Sequence, residues 1–186
     1  KRSAQITRLN NDRWAVIMGN GYNSKNQRPV LLIQYLDGAK ELVRLVATGD
    51  TAVGANANTT DNGLSAPRPV DINADGRPDI VYAGDIKGNL WKFDIASGTP
   101  SKWNVAFGGN PLFTARGPAA PSDAIAARTL TQPIVVPPTA RANDRKKNVT
   151  TSSGTQRVNV GGMMVAFGTG RNVSKDDPES MAVQSL

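Results

Sequence analysis

Short apolar runs separated by turns recur along the chain, and no long stretch carries apolar residues at helical spacing. Examples are residues 14–20 (WAVIMGN), 79–85 (DIVYAGD) and 89–95 (NLWKFDI), which are rich in β-branched and aromatic side chains. Runs of this length and type, bounded by Gly, Pro, Asn and Asp, are typical of β-strands. The pattern therefore predicts an all-β fold.

Part of this pattern repeats. Three stretches share a short apolar run followed by a glycine, a polar residue and a turn, and they are residues 13–24, 78–89 and 162–173. The glycines of the first two, Gly19 and Gly84, are separated by about 65 residues, and so are Pro67 and Pro133, which follow similar leucine-containing segments. The sequence thus predicts a structural repeat with this period.

Each repeat is predicted to contain four strands. In the second repeat they are residues 69–72, 79–85, 89–95 and 111–115. In the first repeat the second to fourth strands fall at 14–20, 29–37 and 41–50, and the opening strand is expected to be missing. Four antiparallel strands that recur at a fixed period are typical of a β-propeller blade, and the repeated strand-glycine pattern favours this fold over a β-sandwich.

The chain is too short to complete a propeller. Its 186 residues hold fewer than three repeats, whereas propellers close with about four to eight blades. We therefore expect residues 1–186 to form about two to three blades of a single β-propeller, which the remaining blades of the same protein complete. The third repeat is longer than the second, and its extra polar, basic residues at 139–159 predict an inserted, mobile loop.

Composition excludes several classes of function. The chain has no histidine and no cysteine, which removes Ser-His-Asp and Cys-His catalysis, disulfides and the usual zinc sites. The net charge is +7, but much of the excess lies in residues 141–147 and aromatic residues make up only 5%. Nucleic-acid binding domains interleave basic and aromatic residues, so no nucleic-acid partner is expected. No apolar run approaches membrane-spanning length, so no direct membrane insertion is expected either.

Oxygen-bearing side chains alternate in residues 71–79, DINADGRPD. The first, third, fifth and ninth positions carry side-chain oxygens, a glycine at the sixth permits a sharp turn, and the seventh offers its carbonyl. Hard oxygen donors without nitrogen or sulfur favour Ca²⁺, and a shell of mixed carboxylate and carbonyl suits Ca²⁺ better than Mg²⁺. The predicted ligands are Asp71, Asn73, Asp75, the Arg77 carbonyl and Asp79.

This loop is not an EF-hand. The twelfth position is Tyr82 where an EF-hand needs a bidentate glutamate, and the flanking segments are predicted strands. Pro78 biases Arg77 towards an extended conformation, which suits a loop between two strands. A metal-free turn would also use Asp, Asn and Gly, but it does not need oxygen ligands at four fixed places.

Residues 70–95, VDINADGRPDIVYAGDIKGNLWKFDI, resemble the C-terminal β-propeller of the PilC/PilY family, the type IV pilus tip-associated biogenesis factors and adhesins. Residues 16–24 (VIMGNGYNS) and 165–171 (VAFGTGR) are similar to further family segments. The resemblance implies a quinoprotein-like propeller whose metal ligands fall on the same five residues of the 71–79 loop.

The same resemblance implies a location and a function. It indicates a protein of the bacterial cell surface, pilus or periplasm, associated with the outer membrane. Its Ca²⁺ occupancy would regulate pilus extension and retraction, and therefore twitching motility. The implied partners are pilins and minor pilins, together with host-cell or abiotic surfaces to which the protein adheres.

Two other functions are compatible with the pattern. An integrin-like surface repeat carries similar calcium loops, but in successive blades, whereas this loop occurs once. A quinone-dependent dehydrogenase propeller needs a closed ring around its cofactor, with convergent tryptophan and acidic groups. We expect a binding protein rather than an enzyme, since no catalytic set can be identified from the sequence.

Overall fold

The structure, a computed structural model, describes residues 4–22, 27–47, 62–117 and 130–170. Within these ranges the chain forms strands and two short 3-10 helices, Pro100–Lys102 and Phe107–Gly109, and none of the helices could cross a membrane. The all-β fold predicted from the sequence is confirmed. The strands are β1 (Ala4–Arg8), β2 (Trp14–Gly19), β3 (Val30–Tyr35), β4 (Leu42–Val46), β5 (Arg68–Val70), β6 (Ile80–Gly84), β7 (Asn89–Asp94), β8 (Asn104–Val105), β9 (Phe113–Thr114), β10 (Arg116–Gly117), β11 (Leu130–Thr131), β12 (Thr139–Ala142), β13 (Lys146–Thr151), β14 (Gly154–Asn159) and β15 (Met163–Ala166).

The first blade is a four-stranded antiparallel sheet in the order β1-β2-β3-β4. Burial alternates along both central strands, at Ala15 and Ile17 of β2 and at every second residue of β3, as the alternation of the sequence predicts. The prediction that this blade lacks its opening strand was wrong, because β1 takes that place. The only large apolar residue of β1, Ile6, is 67% exposed, so main-chain pairing with β2 rather than burial holds the strand.

The second blade has the order β5-β6-β7-β8, and β9 also pairs with β7. The fourth strand of this blade is therefore split into β8 and β9, and the predicted segment 111–115 contains only β9. Phe93 of β7 pairs with Val105 of β8, and Leu90 pairs with Phe113 of β9. The 3-10 helix Phe107–Gly109 lies between the two short strands, so the chain leaves the edge of the sheet and returns to it.

Two apolar cores lie on opposite faces of the second blade. The larger one joins the first two blades and includes Leu9, Ile17, Ile33, Val81, Trp91 and Phe93. The smaller one joins the second blade to the segments that follow it, and its members are Leu90, Ala115 and Ile134, with Val165 and Phe167 against them. Because both of its faces are covered, all five residues of β6 are buried.

The glycines of the repeat mark where one blade touches the next. A Cβ atom at Gly19 would overlap the Leu64 carbonyl, and one at Gly84 would overlap Ile134. Leu64 and Ile134 are both fully buried. Ile134 therefore takes a place equivalent to that of Leu64 at the junction between one blade and the next.

The prediction of a loop at 139–159 was also wrong. This segment contains β12 and the hairpin β13–β14, and one register runs from Thr139 paired with Ala166 to Thr151 paired with Gly154. Between the two strand pairs the ladder continues through main-chain hydrogen bonds from Asn143 to Gly162 and from Val160 to Arg145. Val149 and Val158 are the only apolar side chains of its two strands, so the apolar alternation that reveals a half-buried strand is absent.

A fully buried carboxylate, that of Asp85, lies at the turn between β6 and β7 in the second blade. Asp85 accepts hydrogen bonds from the Asn89 main-chain and side-chain nitrogens at 2.8 and 3.0 Å and from the Trp91 indole at 2.9 Å. The Asn62 side-chain amide donates to it at 3.3 Å. These donors satisfy the buried charge, so the aspartate of the YAGD sequence stabilises the turn between β6 and β7.

Candidate functional site

The segment from Asp71 to Asp79 connects β5 to β6, as the sequence predicts for a loop between two strands. Residues 71–76 are exposed, and Pro78 and Asp79 are buried at its base. The Asp79 main-chain nitrogen donates to the Val70 carbonyl at 2.9 Å, which closes the loop where the strands meet. The oxygen-rich part thus faces solvent while its end is fixed in the sheet.

Side-chain oxygens and loop N–H groups shape this segment. Asp71 accepts hydrogen bonds from the Ala74 and Gly76 nitrogens, both at 2.7 Å. Asn73 accepts from the Asp75 nitrogen at 3.0 Å, and Asp75 accepts from the Arg77 nitrogen at 2.8 Å. Gly76 has a φ of +85°, a conformation that side chains disfavour, so the glycine predicted for the sharp turn does occupy it.

Asp79 connects the loop to the rest of the fold. Its carboxylate accepts from the Ile72 nitrogen at 2.9 Å and from the Asn10 amide at 3.4 Å. Asn10 also donates to the carbonyls of Pro78 and Ile95, at 3.0 and 3.3 Å. Asp79, the last of the predicted ligands, therefore fixes the loop against the first blade.

The structure brings some of the predicted ligands together and not others. The Asn73 amide donates to the Asp75 carboxylate at 3.2 Å, so these two side chains are in contact. Among the described residues, no three acidic side chains converge closely enough to form a metal cluster. The loop has the donor chemistry that Ca²⁺ requires, but its carboxylates point to separate main-chain partners.

Two residues that matter to this loop were missed by sequence reasoning. Asn10 and Asp12 lie in the turn between β1 and β2, and the Asp12 carboxylate lies 2.6 Å from the Arg77 guanidinium. Arg77 was predicted to contribute its carbonyl to the metal site, and its side chain also forms an ion pair with the first blade. The residues in contact are about 65 positions apart, so no local sequence pattern identifies them. The repeat indicates only that neighbouring blades meet.

A groove of about 620 Å³ adjoins the loop. It lies between the second blade and the β12–β15 pair, and no sequence pattern indicated it. Val70, Asp71 and Ile72 contribute to it from the loop side, and Arg141, Ala142 and Met163 from the other. The first predicted ligand therefore lies at a junction with the segments that follow the second blade.

Comparisons with known proteins agree on one family. The family model described as the PilY1 beta-propeller domain matches residues 2–185. The type IV pilus biogenesis factor PilY1 of Pseudomonas aeruginosa strain UCBPP-PA14 is 31% identical over 195 residues, which cover 94% of this chain and 14% of that protein. A PilY1 homolog of Xylella fastidiosa is 31% identical over 182 residues, which cover 97% of this chain and 11% of that protein.

A solved structure is similar as well. The crystal structure of the Pseudomonas aeruginosa PilY1 C-terminal domain matches with a TM-score of 0.65 and 33% identity, over 94% of this chain and 33% of that one. The chain thus spans one third of the solved domain and a seventh or less of the two curated relatives. The fold is therefore that of part of a propeller, as the sequence predicts.

Proposed function

The chain belongs to the PilY1 β-propeller domain family, and from this premise we propose that it is the calcium-binding propeller portion of a type IV pilus biogenesis protein. In this proposal Ca²⁺ binding regulates pilus extension and retraction, and the whole protein supports attachment to host cells or other surfaces. Its partners are pilins, minor pilins and the remaining blades, at the cell surface or in the periplasm. The relatives are named biogenesis factors and not enzymes, and we propose no catalytic activity.

The observation that carries the calcium proposal is the fold of the loop. Its first, third and fifth residues accept hydrogen bonds from loop N–H groups, and Gly76 makes the sharp turn that the ligand spacing needs. Each carboxylate oxygen has further lone pairs for a cation. Asp71, Asn73, Asp75, the Arg77 carbonyl and Asp79 would hold Ca²⁺, whose charge would offset the repulsion among three aspartates.

The surroundings of the loop support a regulatory role for the ion. Asp79 and Arg77 are bonded to Asn10 and Asp12 of the first blade, and Asp71 borders the groove on the opposite side. A cation that draws the carboxylates together would act on residues that contact both neighbouring parts of the fold. The single loop and the family membership also favour this function over an integrin-like repeat.

The substitution Asp75→Asn tests the proposal. It keeps the size of the side chain and removes one charge, so calcium binding should weaken while the blade stays folded. Titration calorimetry should find one site in the wild type with a dissociation constant between about 1 μM and 1 mM. In the complete protein the variant should have altered surface pili and twitching, and added Ca²⁺ should partly restore both.

Asp94→Asn is the matched control, because Asp94 is exposed and lies outside the loop. It should change neither calcium affinity nor pili. No calcium binding by the wild type at several millimolar Ca²⁺ would reject the metal site. Weakened binding with normal pili, movement and attachment across a calcium titration would reject regulation and leave the ion a structural role.

A further inference from the structure

The hairpin β13–β14, called the ribbon below, pairs with no other strand in the described part of the chain. Asn143 fixes its base, since its side chain donates to the Gly161 carbonyl at 3.0 Å and accepts from the Arg145 nitrogen at 3.1 Å. Isolated two-stranded hairpins are marginal in water, and this one continues the register of β12–β15. The ribbon is therefore an extension of a blade strand pair with both faces outside the two cores.

The register divides the ribbon into two faces. Residues directly opposite each other in an antiparallel pair share a face, and the Thr150 and Thr155 hydroxyls, 3.0 Å apart, confirm this arrangement. The opposite face carries the two half-buried valines, Val149 and Val158. The outer face is exposed at every position and consists of Lys146, Asn148, Thr150, Thr155, Arg157 and Asn159.

The outer face holds two cations that pair with no carboxylate of the described residues. Lys146 pairs with Asn159 and Arg157 with Asn148, so the two basic residues are diagonal neighbours on one face, a position at which backbones lie about 7–8 Å apart. None of the ion pairs between described residues includes either of them. Like charges on one face do not stabilise a sheet, so folding does not account for this arrangement.

We propose that the outer face of the ribbon binds an anionic polysaccharide through its sulfate or carboxylate groups. Lys146 and Arg157 supply the opposite charge, and the asparagine and threonine side chains supply donors and acceptors for sugar hydroxyls. The face has no aromatic residue on which nucleobases could stack. It also lacks the aromatic anchors of protein interfaces and the apolar residues that enter a bilayer.

This binding site goes beyond the proposed function and shares no residue with the metal loop. Glycan binding should therefore persist when Ca²⁺ is removed by a chelator. A failure of the calcium proposal leaves the glycan measurement unaffected, and the reverse also holds.

The test compares two double variants with the same charge change. K146Q/R157Q removes the cations of the outer face, while R145Q/K147Q removes that of Lys147 from the opposite face and that of Arg145, the residue just before β13. Binding is measured by calorimetry at physiological salt, with a heparin octasaccharide for sulfate and an alginate oligomer for carboxylate. Neutral dextran and a single-stranded oligodeoxynucleotide serve as controls.

The wild type should bind at least one of the two acidic glycans and not the dextran. K146Q/R157Q should weaken that binding about tenfold or more, since two charge-assisted contacts are lost, and R145Q/K147Q should change it less than threefold. Because all four side chains are exposed, the circular dichroism spectrum should stay unchanged. Equal losses in both variants, no binding of either acidic glycan, or equally tight binding of the oligodeoxynucleotide would overturn the proposal.

Discussion

Asn10 in the first blade donates its side-chain amide to the Asp79 carboxylate in the second, at 3.4 Å, and to the neighbouring Pro78 carbonyl at 3.0 Å. The loop proposed to bind Ca²⁺ is thus fixed at its base by the blade before it. The Arg77–Asp12 ion pair, at 2.6 Å, runs between the same two turns. The geometry of the loop and the contact between blades depend on each other.

Asn10→Ala should therefore lower both stability and calcium affinity. The loss of the bonds to Pro78 and Asp79 should reduce the free energy of unfolding by about 1–2 kcal/mol, as measured by urea denaturation. Asn11→Ala is the control, since Asn11 lies in the same turn and, among the described residues, its side chain bonds to Tyr35 and Arg13 of the first blade. Calorimetry should show weaker Ca²⁺ binding for Asn10→Ala only. Equal Ca²⁺ affinities of the two variants would contradict a role of Asn10 in holding the loop.

Gly84→Ala should destabilise the fold through a steric clash. The added methyl group would overlap both the side chain and the carbonyl of Ile134, so a rotamer change cannot relieve it. The expected loss of stability is about 1–3 kcal/mol. Gly168→Ala occupies the matching place in the third repeat, where no atom of the described residues lies within 4 Å, and it should leave the melting temperature nearly unchanged.

Asp85→Asn should be destabilising although the two side chains have almost the same shape. The new NH₂ group would face nitrogen donors, including the Trp91 indole, so at least one buried donor would lose its acceptor. We expect a loss of about 2 kcal/mol or more in the free energy of unfolding. Asp94→Asn makes the same charge change at an exposed position and should have little effect, and similar losses in both variants would contradict this role of Asp85.

Arg13 should make stability depend on pH in the acid range. Its guanidinium hydrogen-bonds Asp37 at 2.7 Å and Glu41 at 2.8 Å, which lowers the pKa of both carboxyl groups. A lowered folded-state pKa gives stability that is complete above the unfolded-state values, about 3.9 and 4.3, and is lost as the pH falls through the folded-state values.

The variant Arg13→Gln tests this dependence. It should be less stable than the wild type near neutral pH, and the difference should shrink as the pH falls below about 4. Denaturation curves collected from pH 7 to pH 2 would measure it. A stability difference that stays constant over this range would mean that the ion pairs are not its source.

Local patterns predicted the central strands well and the edges poorly. Strands β2, β3, β6 and β7 lie within the predicted segments, because burial imposes their apolar pattern. Strand β1 and the ribbon were missed because main-chain pairing holds them without burying alternate side chains. The loop at 71–79 was located from its spacing, but Asn10 and Asp12 reach it only through the packing of two blades.

Strand β7 should be among the last parts of the second blade to open. This strand pairs with β6 along one edge and with β8 and β9 along the other, and it contributes Phe93 to the larger core and Leu90 to the smaller one. Each of its amide hydrogens is bonded on one edge or the other, so exchange of the whole strand needs both edges to separate, and its amides should be among the slowest of the second blade. Since one strand serves both cores, the two should be lost together in a single cooperative opening.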